Sequence, residues 1–112
     1  MEQLAPAFLA RSTDLGAKAT VTIGETTLMG LSIVNNQAAV IFVQLFNALV
    51  ANVTLGTTVP DYEFSVAAST SVVVALPACG IRFGLGITAG STTTEKGATP
   101  SAAGVQVFYQ IL

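Results

Sequence analysis

The chain has no histidine, no tryptophan, a single cysteine, and only four basic and six acidic residues among 112. Charged side chains make up 9% of the sequence, against roughly a quarter in an ordinary soluble domain. Each shortage removes a class of function. Acid–base chemistry is left with Glu2, Arg11, Asp14, Lys18, Glu25, Asp61, Glu63, Arg82, Glu95 and Lys96, and it lacks the side chain that titrates near neutral pH. No enzyme, cofactor or catalytic residue is expected. Cys79 has neither a second thiol nor an imidazole to join it, which excludes an intrachain disulfide and a zinc site. Between Ala78 and Gly80 it reads as a small buried hydrophobe.

The four basic residues, Arg11, Lys18, Arg82 and Lys96, are scattered and the net charge is −2, so no patch forms to neutralise several phosphates. Nucleic acid is not an expected partner. The richest apolar stretch, Ala38 to Ala51, includes Gln44 and Asn47 and falls short of the ~20 residues of a membrane-spanning helix. A membrane is not expected either. The opening Met1-Glu2-Gln3-Leu4-Ala5-Pro6 has no basic region before an apolar run, so no export signal is expected.

What is present is hydrophobic. Apolar residues make up 52% of the chain and mean hydropathy is +0.71, far from the signature of disorder. The length suits one domain. A chain with so little charge has little with which to cover its outside, which points to association with itself or with a partner.

From Ala19 onward β-branched residues dominate and turn residues recur at short intervals, the pattern of many short strands. The expected strands are Thr20 to Ile23, Leu28 to Val34, Val40 to Phe46, Ser71 to Leu76, Gly86 to Ala89 and Val105 to Ile111. Gly24, Asn35-Asn36, Gly56, Pro60-Asp61, Pro77, Gly80 and Gly90 supply the breaks. The last strand alternates cleanly, with Val105, Val107, Tyr109 and Ile111 on one face. Val40 to Phe46 is apolar on both faces, which places it in a sandwich interior or against another subunit. A helical spacing also runs through that segment, but its β-branched residues and the absence of a cap favour a strand. The expected division is an irregular N-terminal arm over 1–18 and an all-β, jelly-roll-like β-sandwich domain over 19–112.

Several motifs have an ordinary structural explanation. Gly80-Ile81-Arg82-Phe83-Gly84-Leu85-Gly86 lacks the spacing of either nucleotide-binding fingerprint and reads as turns and bulges. Asp61 and Glu63 are too few for a calcium site, which takes about six to eight oxygens, and read as solvated loop charges. Ser91 to Ser101 reads as an exposed polar loop. Arg82, a cation between Ile81 and Phe83, is a candidate interface residue. So are Phe42 and Phe46 on the two-sided strand, and Phe8 and Leu9, an apolar pair on the arm able to fill a pocket on a neighbour.

Val43-Gln44-Leu45-Phe46-Asn47-Ala48, Val53-Thr54-Leu55-Gly56-Thr57-Thr58-Val59-Pro60, Gly80-Ile81-Arg82-Phe83 with Gly84-Leu85, and Val105-Gln106-Val107-Phe108-Tyr109 resemble small β-sandwich virion structural proteins of tailed bacteriophages. The resemblance runs from residue 30 to residue 112. It implies a jelly-roll-like sandwich, a homotrimer, and a place on the capsid as a cement or decoration protein. The major capsid protein or other virion proteins would be its partners, and it would be assembled in the host cytoplasm. A neck, tail or baseplate component is the alternative within that class. A carbohydrate- or receptor-binding sandwich is the alternative outside it, with Tyr62 and Tyr109 as its aromatic candidates.

Overall fold

The structure is a computed structural model of the single chain and describes residues 9–15, 18–100 and 105–111. It is all-β. In chain order the strands are β1 (Leu9–Leu15), β2 (Ala19–Ile23), β3 (Thr26–Asn35), β4 (Ile41–Phe46), β5 (Tyr62–Val66), β6 (Thr70–Val74), β7 (Ile81–Phe83), β8 (Gly86–Thr92) and β9 (Val105–Ile111). The first sheet has the order β1-β9-β3-β6, with β7 also paired to β3, and the second has the order β2-β8-β4-β5. Every pairing is antiparallel.

The pairs are nested. β1 takes β9, β2 takes β8, β3 takes β6 and β4 takes β5, as in one long hairpin. Rolling that hairpin brings β9 beside β3 and β8 beside β4, which closes two sheets face to face. This is the jelly-roll topology, whose outermost pairs join residues about a whole chain apart. β7 is an extra short strand in the β6–β8 connection, lying along the start of β3 from Thr26↔Phe83 to Leu28↔Ile81.

Alternation puts one side of each strand between the sheets. The core contains Val21, Leu28, Leu31, Ile33, Ile41, Val43, Leu45, Val66, Phe83, Ile87, Val105, Val107, Tyr109 and Ile111, each large side chain worth roughly 1.5–3 kcal/mol when fully buried. The gap left among Val21, Leu28, Leu31, Leu45, Ile87, Val107 and Tyr109 is only about 10 Å³. That is room for at most one water and for no organic ligand.

The two-sided apolarity of β4 has a local cause. Its inward residues Ile41, Val43 and Leu45 join the core, while Gln44 and Phe46, on the other face, are just as buried. The long β4–β5 connection folds back over that face. It carries Val53, fully buried, and Leu55, whose Cδ2 would lie 3.0 Å from a Cβ at Gly90. Lys18 secures the connection by donating from Nζ to the carbonyls of Val50 and Val53. Gln44 reaches the end of β8, donating from Nε2 to Thr92 Oγ1 at 3.0 Å, and the β8–β9 loop at the Gly97 carbonyl at 3.5 Å.

Four expectations are corrected. Residues 9–15 are not part of an irregular arm: they form β1, held by a distant partner, β9. Gly90 does not break a strand but lies inside β8, where its missing side chain admits Leu55. β8 therefore runs on to Thr92, and Ser91 and Thr92 are buried rather than looped out. Cys79 is exposed, because Pro77 and Gly80 close a tight turn, Gly80 N–H to Pro77 C=O at 2.8 Å, that puts it at the tip.

Candidate interaction surface

One end of the sandwich is made by the β2–β3 turn, the β7–β8 turn and the start of the β4–β5 connection. Gly24 and Leu85 join the two turns, Gly24 N–H to Leu85 C=O at 3.2 Å. Leu85 N–H in turn donates to Asn47 Oδ1 at 2.9 Å. Asn47 N–H donates to Asp61 Oδ2 at 2.6 Å, and Asp61 N–H donates to Leu45 C=O at 2.9 Å. Thr88 adds a bond from Oγ1 to Ala48 C=O at 2.8 Å. Three separate connections thus form one hydrogen-bonded frame.

Gly86 is essential to that frame. Its φ is +134°, and a Cβ there would lie 2.8 Å from the backbone oxygen of Thr22 and 3.3 Å from the amide of Gly24. No L side chain fits, because both the conformation and the close approach of β2 exclude it. Beneath the frame the Tyr62 ring stands edge-on to buried Phe83, with ring centroids 5.9 Å apart.

Outside the frame the end is apolar. Ile23 is 77% exposed, Leu85 61% and Leu49 43%. Ile23 precedes Gly24, Leu85 lies between Gly84 and Gly86, and Leu49 lies two residues past Asn47. The hydrogen bonds just described therefore gather them at one end. The flank holds an ion pair between Arg82 and Glu25 with both side chains mostly in solvent, a contact worth little to stability. A rigid backbone bearing large exposed aliphatic side chains loses little entropy on binding, which suits a protein-contact surface.

The expected interface residues are scattered. Phe8 lies outside the described residues, and Leu9 opens β1 opposite Ile111. Phe42 is half-buried on the outward face of β4, and Phe46, on the same face, is 1% exposed within the single chain. Only Arg82 lies at the apolar end, paired with Glu25 of its own chain. Ile23 and Leu85 were not singled out in the sequence. The available signal was a large aliphatic residue against a turn glycine, since turn tips face solvent.

The acidic residues that sequence reading weighed for calcium have other partners. Asp61 accepts from Asn47, and Glu63, in β5, accepts from the Lys96 N–H at 2.7 Å. Among the described residues no three His, Cys, Asp or Glu side chains gather into a metal-binding group, and no helix is long and apolar enough to cross a membrane.

No family model matches this chain, and no curated protein matches it. A crystal structure of hydroquinone 1,2-dioxygenase from Sphingomonas sp. TTNP3, with 4-hydroxybenzoate bound, aligns over 95% of this chain at 12% identity with a TM-score of 0.32. This chain spans 60% of the length of that one. A likeness at that level carries no argument about activity.

Proposed function

We propose that this protein is a non-enzymatic virion structural protein of a tailed bacteriophage, a cement or decoration protein that stabilises the head shell by binding across neighbouring capsid subunits. The observation that carries the reading is the locked end of the sandwich with Ile23, Leu85 and Leu49 turned outward. Such a surface fits a protein partner better than a small molecule, because the end offers few polar groups to orient one. The sparse charge and the likeness of the sequence motifs to phage virion proteins support the same reading.

The mechanism is mass action. A ligand that binds the assembled shell and not its separated subunits stabilises the assembly by about 2.7 kcal/mol per site at a hundredfold excess over its dissociation constant. Many sites on one particle add their effects. Heating particles with and without the protein and following DNA release tests this. Particles lacking it are expected to open at a lower temperature, and equal release temperatures would overturn the cement reading in favour of a neck, tail or baseplate position.

A further inference from the structure

The outer strands of the two sheets differ in how their edges are guarded. An unpaired edge presents backbone N–H and C=O groups to which another strand can add, and native proteins blunt such edges with charge, proline, bulges or very short strands. β2 has a register shift between Thr20 and Thr22. β5 follows Pro60-Asp61 and contains Glu63. β1 contains Arg11 and Asp14, and β7 is three residues long and contains Arg82. β6 has none of these devices. Thr70-Ser71-Val72-Val73-Val74 lies within the uncharged run from Phe64 to Ile81. It pairs with β3 on one side, and among the described residues no strand pairs with its other side. Val73, on the face away from the core, is 85% exposed.

We infer that β6 is a self-association edge, pairing antiparallel with β6 of a second copy across a two-fold axis and continuing the first sheet through both molecules. Charge selects that occupant. β6 against β6 brings no ionised group into the join, whereas β6 against any other outer strand of the same protein meets a guanidinium, a carboxylate or a bulge, with the desolvation or misfit that each entails. The contact is isologous and so closes on itself. In the registers centred on residue 72 or residue 73, Val73 lies beside Ser71 or Val73 of the second copy and loses its exposure.

Size sets the strength. Five residues of strand span about 17 Å, too little to cover the ~800 Å² per partner of a stable interface. The pairing is therefore reversible and concentration-dependent, and becomes firm where copies are already held close together. It joins copies in pairs, in contrast to the trimer that the phage resemblance implies, and it stands whether or not the protein belongs to a capsid.

Sedimentation equilibrium of the full chain from micromolar to millimolar concentration reads this directly. A monomer–dimer equilibrium is expected, with Val73→Lys weakening it by about tenfold or more, as paired like charges on an edge should. The thermal unfolding of that variant should match wild type, since the side chain at 73 is already in solvent. In a Cys79→Ala background, Val73→Cys, alone or mixed with Ser71→Cys, should form an interchain disulfide on oxidation at least about tenfold faster than Val59→Cys, because only paired strands bring the Cα atoms within bridging distance. A monomer at every concentration, a trimer, a dimer unchanged by Val73→Lys, or equal crosslinking at 59 and 73 would each overturn the inference.

Discussion

Where β3 turns into β4 and β5 into β6, the end of the sandwich is held by one buried side chain together with a backbone bond from Ser69 N–H to Gln37 C=O at 3.0 Å. Asn35 shares its Nδ2 hydrogens among the carbonyls of Ala39 at 3.0 Å, Val66 at 3.2 Å and Ala67 at 3.0 Å, and its Oδ1 accepts from Gln37 N–H at 2.8 Å. The opposite end is held by a chain of hydrogen bonds through Gly24, Leu85, Asn47 and Asp61, with the side chains of Asn47 and Asp61 as acceptors. Both ends are fixed, yet they face solvent differently. The Asn35 end exposes Asn36, Ala38, Ala39, Ala67, Ala68 and Ser69 and one large aliphatic residue, Val40, at 44%, while the Leu85 end exposes Ile23 at 77%, Leu85 at 61% and Leu49 at 43%. Holding a turn in place does not require large apolar residues at its tip, so those at the Leu85 end call for another explanation, and contact with a partner supplies one.

The two ends can be broken separately. Asn35→Ala removes the donor to three carbonyls at once, in a site with no exposure to water, and is expected to cost about 3–4 kcal/mol. Chemical denaturation checks it, and a loss below about 1 kcal/mol would mean that the loops hold themselves. Gly86→Ala should act at the other end, costing about 2–3 kcal/mol through the positive φ and the collision with β2. Its unfolding midpoint in urea reports the effect, and a neutral outcome would show that the frame at the Leu85 end yields where the structure holds it rigid.

How much of this could be read in the sequence depends on the range of the interaction. β9 and β4 were legible because alternation and β-branching are local properties, and Val105, Val107, Tyr109 and Ile111 do face the core. β1, β5 and β7 were not. β1 mixes charge with small residues and exists through its pairing with β9, at the far end of the chain. β5 alternates, but Pro60, Asp61 and Glu63 gave it the look of an acidic loop, while β7 is buried among glycines that belong to its flanking turns. The sandwich class was legible and the nesting of its strands was not, because short apolar segments specify that they pair and leave open with which partner.

The same limit applies to the interaction surface. Phe42 and Phe46 looked like interface residues because β4 is apolar on both faces, and nothing local revealed that Phe46 would be buried within the chain itself. Asn35 was recognised as part of a turn, but its role at the hub comes from partners about thirty residues away. Gly86 was recognised as a turn or bulge glycine, and the structure adds the reason, the backbone of β2 against it.

The double substitution Ile23→Ser/Leu85→Ser tests most directly whether the apolar end is a docking face. Both side chains are mostly in solvent, so the variant should fold with a stability within about 0.5 kcal/mol of wild type. Cosedimentation with heads lacking the protein then measures attachment. The expected result is a folded protein whose affinity for the heads falls by about a hundredfold, in line with losing two contact residues of a small apolar interface. A folded double variant that binds the heads as tightly as wild type would contradict the assignment of this end as the contact surface.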